Sequence, residues 1–199
     1  RFERATAGRA LRIHVDGVDR GEPVEVLCHD AISYKELVSC EPLKPRWFCC
    51  HWWGESVLDF VTCCEAHTRL RAVDERDASF WVCAYANSQH DLGAHITSDP
   101  EQSSFRKAMK LAEGVLLVLD QDATPFRRIW CDFELYHTIS TDRKPLDIMT
   151  VHEVAPRLIT EGCLPNETSY YKSLREQQFP IRLLVEGVSR LLEDGSASV

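Results

Sequence analysis

Short apolar runs alternate with amphipathic segments from residue 46 onward. Four runs have the length of a strand: RWFCC (46–50), SFWVCAYA (79–86), VLLVLD (115–120) and PLDIMTV (145–151). Between them, apolar residues recur three and four positions apart, as in helices with one buried face. This alternation predicts an α/β fold with a mainly parallel sheet, in which VLLVLD is a central strand covered on both faces.

The amphipathic segments predict the helices. Ser56 and Asp59 form a partial capping box at the start of the first, and Pro125 begins the helix that follows VLLVLD. The other predicted helices are DPEQSSFRKAMKLAEG (99–114), NETSYYKSLREQQF (166–179) and IRLLVEGVSRLLED (181–194). With the strands, they predict a flavodoxin-like sheet with helices on both faces in a domain that spans residues 46–199.

Residues 1–45 have a different pattern and are predicted to be an N-terminal accessory segment. LRIHV (11–15) and PVEVLC (23–28) flank a turn-prone stretch and predict a hairpin. DAISYKELVSC (30–40) predicts a short helix capped by Asp30.

Charge and hydropathy exclude two classes of partner. The net charge is −8 and the 23 basic residues are scattered, which argues against a nucleic-acid surface. No apolar run approaches the roughly 20 residues that cross a bilayer, and the first 15 residues do not have the pattern of a secretory signal. We therefore expect no membrane partner and a cytoplasmic location. Because the chain begins with Arg, we expect it to be part of a longer protein.

The nine cysteines predict buried, reduced thiols rather than disulfides. Their number is odd, two pairs are adjacent (Cys49-Cys50 and Cys63-Cys64), and most lie in apolar stretches. Cys63 and His67 are four apart on a predicted helix and Cys49 to His51 could lie nearby, so a zinc site is geometrically conceivable. The favoured interpretation is that the cysteines are small core residues and that no metal is bound.

Two polar loops follow predicted strands: HWWGES (51–56) and DQDATP (120–125). The carboxyl ends of parallel strands are where open α/β sheets bind ligands. Adjacent Trp52 and Trp53 cannot both point into a core from one regular strand, so at least one is expected at a cleft or an interface. The chain has no Gly-rich phosphate-binding loop, so the sequence does not favour a kinase, a P-loop protein or a Rossmann dinucleotide-binding protein.

The stretch FRRIWCDFELYHTIS (126–140) places Trp130, Cys131, Glu134 and Leu135 at the spacing of a Ser-x-Trp-Cys-x-x-Glu-Leu pattern, with Arg128 in place of the Ser. In this it resembles the Toll/interleukin-1 receptor (TIR) domain. RWFCCHWWGES resembles the first TIR box, although HWWG is not a common TIR feature and indicates a divergent branch. By order of elements the resemblance covers residues 46–155.

The resemblance implies that Glu134 supports cleavage of the bond between nicotinamide and ribose in NAD or a related nucleotide. NAD would be the substrate, and no cofactor is expected. The leaving group departs neutral, so one carboxylate can suffice to stabilise the positive charge that develops on the ribose. On an ideal helix Trp130, Glu134 and His137 share one face. Glu134 is expected to point into a cleft between the HWWGES and DQDATP loops, which Asp120 and Asp122 could also approach.

The expected substrate-binding residues lie around that cleft. Indoles after the first strand could stack on a nicotinamide or adenine ring, and polar residues beyond the second strand could bind the ligand or form a turn. The set is His51, Trp52, Trp53, Ser56, Asn87, Asp120 and Trp130. Structural roles are the alternatives. Glu134 would be a solvated helix residue or the partner of Arg127 or Arg128, Trp130 a core anchor, and His51 a residue that forms a hydrogen bond within its loop.

Three functional hypotheses follow. The first is a TIR-like signalling or defence domain that hydrolyses NAD, with self-association needed to complete the site. The second is a non-catalytic TIR-like interaction module that assembles with itself or with other TIR-like domains. The third is an enzyme similar to nucleoside deoxyribosyltransferases, which share the flavodoxin-like layout and use a Glu nucleophile.

Overall fold

The computed structural model describes residues 2–4, 10–13, 24–27, 33–39, 41–89 and 99–189. The chain divides into two compact units. The first comprises Arg1–Pro42 and Ala84–Ser104, and the second comprises Leu43–Cys83 and Phe105–Val199. The boundary expected near residue 45 thus has a counterpart at Pro42, but residues 84–104 also belong to the first unit.

The first unit contains a three-stranded antiparallel sheet. Its strands are β1 (Phe2–Arg4), β2 (Ala10–Ile13) and β3 (Val24–Leu27), in the order β1-β2-β3. β2 and β3 pair antiparallel, as the sequence predicted for a hairpin.

Helix α1 (Tyr34–Val38) is capped by Ser33 and not by Asp30, which lies outside the described residues. The Ser33 hydroxyl accepts a hydrogen bond from the backbone N–H of Glu36. The Glu36 carboxylate accepts one in return from the backbone N–H of Ser33, at 2.7 Å. This reciprocal capping box satisfies two backbone donors, so the helix begins three residues later than an Asp30 cap predicts.

The second unit is built on a five-stranded mixed sheet. Its strands are β4 (Trp47–Cys50), β5 (Phe80–Trp81), β6 (Gly114–Leu119), β7 (Leu146–His152) and β8 (Ala155–Thr160). The spatial order is β5-β4-β6-β7-β8, and every pairing is parallel except that of β7 with β8. This order, 2-1-3-4-5 along the chain, is flavodoxin-like. The predicted α/β class and the central position of VLLVLD are confirmed.

Further helices follow α1 along the chain. They are α2 (Val57–Leu70), α3 (Cys83–Ala86), α4 (Ser104–Leu111), α5 (Ile129–Tyr136), α6 (Ser169–Glu176) and α7 (Ile181–Val188). α3 and α4 each straddle the boundary with the first unit. Short 3-10 turns occur at Pro100–Gln102 and Thr124–Arg127, and α5 continues as a π-helix over His137–Asp142.

Three elements differ from the sequence expectations. The strand expected over residues 79–86 is only two residues long and gives way to α3. The helix expected from Pro125 begins with a 3-10 turn and becomes α-helical at Ile129. Strand β8 was missed, because the tight turn that precedes it is formed by Glu153 and Val154, with φ of 48° and 61°. Gly or Asn usually marks such left-handed turn positions.

The sheet is covered on both faces. Alternate strand residues face opposite sides, so Trp47, Cys49, Leu116 and Val118 pack with residues of α2, whereas Phe48, Cys50, Leu117 and Leu119 pack with residues of α4 and α5. All six residues of β6 are buried, as the continuous apolar run predicted.

A buried ionic cluster ties α2 to the amino-terminal end of β7. Nε2 of His67 lies 2.6 Å from Oδ2 of Asp147, and Arg71 donates to both Asp147 oxygens at 2.8 and 2.5 Å. Trp47, the first residue of β4, contacts the His67 ring edge-on. The Arg71 guanidinium lies 5.4 Å from the centroid of the Trp47 ring. His67 is therefore engaged by a carboxylate, and no grouping of metal-ligand atoms around it occurs in the part of the chain that the structure describes.

Candidate functional site

A cavity of about 250 Å³ lies at the carboxyl edge of the sheet, between the HWWGES and DQDATP loops. These loops leave the neighbouring parallel strands β4 and β6. The chain runs from β4 to one side of the sheet and from β6 to the other, so the cavity lies at the topological switch point where ligands of this architecture bind. The structure therefore has a cavity between the two loops where the sequence predicted a cleft.

The three consecutive aromatic residues of the first loop point to three different partners. Trp52 lines the cavity, which confirms that at least one of the paired tryptophans lies at a cleft. Trp53 donates its indole N–H to the Cys83 sulfur and remains partly exposed. His51 places Nδ1 2.8 Å from Oε1 of Glu55. The loop thus orients each ring through a separate contact.

The packing of Trp52 explains why the HWWG motif ends in a glycine, Gly54. A side-chain carbon at this position would lie 2.3 Å from the benzene ring of Trp52, closer than carbon atoms approach one another. The indole therefore packs directly against the glycine backbone, and a larger residue would displace it from the cavity wall.

Glu55 is a cavity residue that the sequence did not single out. Its side chain is only 5% exposed although it lines the cavity, and His51 is its hydrogen-bond partner. Burial raises the pKa of Glu55, His51 lowers it in part, and the nearby carboxylates of Asp120 and Asp59 raise it further. The available signal was the i,i+4 spacing of His51 and Glu55 immediately before the Ser56 cap.

Ser56 and Asp120 line the cavity, and each also fixes a loop. The Ser56 hydroxyl accepts a hydrogen bond from the backbone N–H of Asp59 at 3.3 Å and caps α2. Asp120 accepts from both the backbone N–H and the hydroxyl of Thr124, at 2.7 and 2.5 Å. These bonds hold the two lips of the cavity in place.

The expectation that Glu134 points into this cleft is wrong, because Glu134 is not among the residues that line the cavity. It is 4% exposed and sits beside Cys50 and Cys131, whose side chains belong to the core on the α5 face of the sheet. The cavity instead borders the α2 face, through Cys63 and Val118. The expected cleft and the expected carboxylate therefore flank the end of β4 from opposite sides, because α5 packs on the face opposite α2.

The surroundings of Glu134 favour its neutral form. Burial raises its pKa to about 8, and the Cys50 hydrogen bond and the Arg128 charge lower it only in part. Burial also raises the pKa of the Cys50 thiol well above its usual range, and neighbouring Cys131 and Glu134 reinforce the effect. The Cys131 thiol points toward the backbone carbonyl of His51 at 3.9 Å, which connects this cluster to the loop of the cavity.

The other predicted site residues are dispersed. Trp130 stacks on Phe105 with ring centroids 5.7 Å apart, a contact that fits its reading as a packing anchor. Asn87 is buried in the first unit, whereas the cavity belongs to the second. The ring of His137 packs against that of Phe133, at the point where α5 becomes π-helical, so ideal helix spacing does not continue beyond it.

Cys50, Cys131 and Glu134 place one potential metal-ligand atom each within 4.8 Å of one another, and they form the one such buried group in the described residues. We expect purified protein to contain no zinc, because a structural zinc site uses four ligands and ionised thiols, whereas burial disfavours ionisation of Cys50. Native mass spectrometry should give the mass of the metal-free chain with reduced thiols. Stoichiometric zinc or an intact disulfide would contradict this prediction.

Fold and site together define a flavodoxin-like α/β protein with a cavity of about 250 Å³ at its switch point. Within the described ranges, no helix has the length and apolar character needed to span a bilayer. No protein-family model, no curated protein and no solved structure matches the chain.

Proposed function

We propose that this chain is a TIR-like domain that hydrolyses the nicotinamide–ribose bond of NAD or a related nucleotide, with Glu134 as the essential carboxylate. The observation that carries the proposal is the burial of this one carboxyl group beside the end of β4, where its pKa is raised to about 8. Strongly perturbed carboxyl groups near the ligand edge of an α/β sheet are candidates for catalysis. The Trp-Cys-x-x-Glu-Leu spacing supports the same assignment.

The proposed reaction needs little acid–base chemistry. The C1′–N bond breaks with its electron pair moving to the pyridinium nitrogen, so nicotinamide leaves uncharged. Water adds to C1′ and releases a proton. Between these events the ribose has oxocarbenium character, and an ionised Glu134 in a site of low dielectric would stabilise this positive charge.

The rate of NAD cleavage is expected to rise with pH. Only the ionised form of Glu134 stabilises positive charge, and burial holds the pKa of the free protein at about 8, with Cys50, Cys131 and Arg128 as its charged or titratable neighbours. kcat/KM should therefore increase by about tenfold per pH unit below pH 8 and level off above it. A rate that stays constant from pH 6 to pH 9 would contradict the role of Glu134.

The direct experiment incubates the concentrated domain with NAD and follows nicotinamide release. High concentration is used because the proposal includes self-association to complete the site. Release of nicotinamide that increases faster than protein concentration would support both catalysis and assembly. No release at any concentration would contradict the proposal, and exchange of one nucleobase for another on a deoxynucleoside would favour the transferase-like alternative.

A second candidate is a non-catalytic interaction module, which one observation favours. Glu134 is almost fully enclosed, whereas α5 and the π-helix after it expose the large apolar residues Ile129, Tyr136 and Ile139. Such side chains on one helical segment suit docking to another domain. Sedimentation of wild type and Ile139→Asp distinguishes this candidate: assembly that is lost in the variant, without NAD cleavage in either, would support it.

A further inference from the structure

We propose that the cavity between the HWWGES and DQDATP loops binds a small organic cation. This site is separate from Glu134, which does not line it, and the proposal does not depend on the proposed NAD cleavage. It rests on the cavity itself, on the buried His51–Glu55 pair behind its wall, and on the chemistry of the lining.

The charge of the lining selects for a cation. Four carboxylates line the cavity, and no Lys, Arg or His of the described residues does so. They are Glu55, Asp59, Asp120 and Asp122. Burial is the main reason that the pKa of Glu55 is raised, and the charges of Asp120 and Asp59 add to it, so a bound positive charge would offset both the burial and the repulsion.

The free acceptor in the cavity belongs to Glu55. One of its oxygens pairs with His51, and no described residue donates a hydrogen bond to the other, Oε2. The side chain is only 5% exposed and lines the cavity, so a ligand in the cavity can reach this oxygen. An enclosed, incompletely satisfied carboxylate binds a cation more strongly than an exposed one, since the local dielectric is lower.

The remaining lining favours an organic ligand over a metal ion. Cys63, Val118, Leu119 and Val151 supply an apolar wall, and Trp52, held against Gly54, supplies an indole. Aromatic rings attract organic cations through their quadrupole. The volume of about 250 Å³ equals roughly eight water molecules. It therefore exceeds what a metal ion requires and suits a quaternary ammonium or pyridinium group.

Calorimetric titration of the whole chain with choline and with N-methylpyridinium tests the proposal. Each probe has an uncharged counterpart: the carbon isostere of choline, and pyridine above its own pKa. We expect at least one of the two cations to bind about tenfold or more tightly than its counterpart. Equal affinity within both pairs, or no binding of either cation, would overturn the proposal, as would binding of Mg²⁺ with no binding of the organic cations.

Variants locate the site. Glu55→Gln should weaken cation binding by about tenfold or more. Asp122→Asn, on an exposed loop position, should weaken it about threefold without affecting the fold, and Trp52→Leu should remove most of the preference for the organic cation. Glu134→Gln should bind the cation like wild type. Unchanged binding in both Glu55→Gln and Asp122→Asn would place the cation elsewhere and overturn the proposal.

Discussion

Glu134→Gln is expected to lower the rate of NAD cleavage by about 100-fold or more without lowering the free energy of unfolding. Gln has the size and much of the hydrogen-bonding capacity of a protonated Glu. Because burial raises the pKa of Glu134 to about 8, the resting side chain is mainly neutral, and Gln reproduces its packing. The substitution should therefore slow only a step that requires the ionised carboxylate. Nicotinamide release and thermal unfolding measure the two effects on the same preparation.

Glu65→Gln is the matched control, since Glu65 is an exposed residue of α2 whose partner is Arg69 at 3.9 Å. The Glu65→Gln variant should retain the wild-type rate of NAD cleavage.

The pH dependence of stability gives a second test of the Glu134 assignment. A pKa raised in the folded state favours protonation of the native protein, so the stabilisation is complete below pH 4.5 and is lost as pH rises through about 8. Wild type should therefore lose stability relative to Glu134→Gln over this interval. Equal cleavage by wild type and variant would remove Glu134 from the mechanism.

Asp147→Asn is expected to destabilise the fold by about 3–5 kcal/mol, the usual cost of removing one charge from a buried ion pair. Asp147 is completely buried and accepts from Arg71 at both oxygens, with His67 as a third partner. The amide can accept at only one atom, so at least one buried donor would be left without its anionic partner. Urea unfolding followed by circular dichroism gives the difference in free energy.

Glu113→Gln is the surface counterpart, because Glu113 pairs with Arg46 at 3.2 Å and both side chains are substantially exposed. The substitution should lower the free energy of unfolding by less than about 1 kcal/mol.

Burial acts to raise the pKa of Asp147, but the hydrogen bonds and charges of His67 and Arg71 together outweigh it, so the pKa is lowered. The stabilisation is thus present above the unfolded pKa and lost as pH falls through the lower folded value. A cost for Asp147→Asn as small as that for Glu113→Gln would contradict this account.

The apolar pattern contained most of the architecture of the second unit. The runs at 46–50, 115–120 and 145–151 became parallel strands, because short apolar segments separated by amphipathic helices can bury both faces only in a covered parallel sheet. The apolar pattern did not predict two elements, α3 and β8. The run SFWVCAYA was too uniform to reveal that α3 begins at Cys83, and the turn before β8 has no Gly or Asn to indicate its left-handed backbone.

For the site, the sequence by itself determined the two polar loops and, through the strand order, their position at one edge of the sheet. The sequence predicted that at least one of Trp52 and Trp53 lies at a cleft, but both follow the end of β4 in a loop, so loop geometry and not strand alternation separates their side chains. Only the tertiary structure decided which carboxylate enters the cavity. Helix packing turns Glu134 toward Cys50 on the α5 face and leaves Glu55 beside His51 on the α2 face. Spacing within one helix defines a face of that helix, but the side of the sheet on which it packs depends on the path of the whole chain.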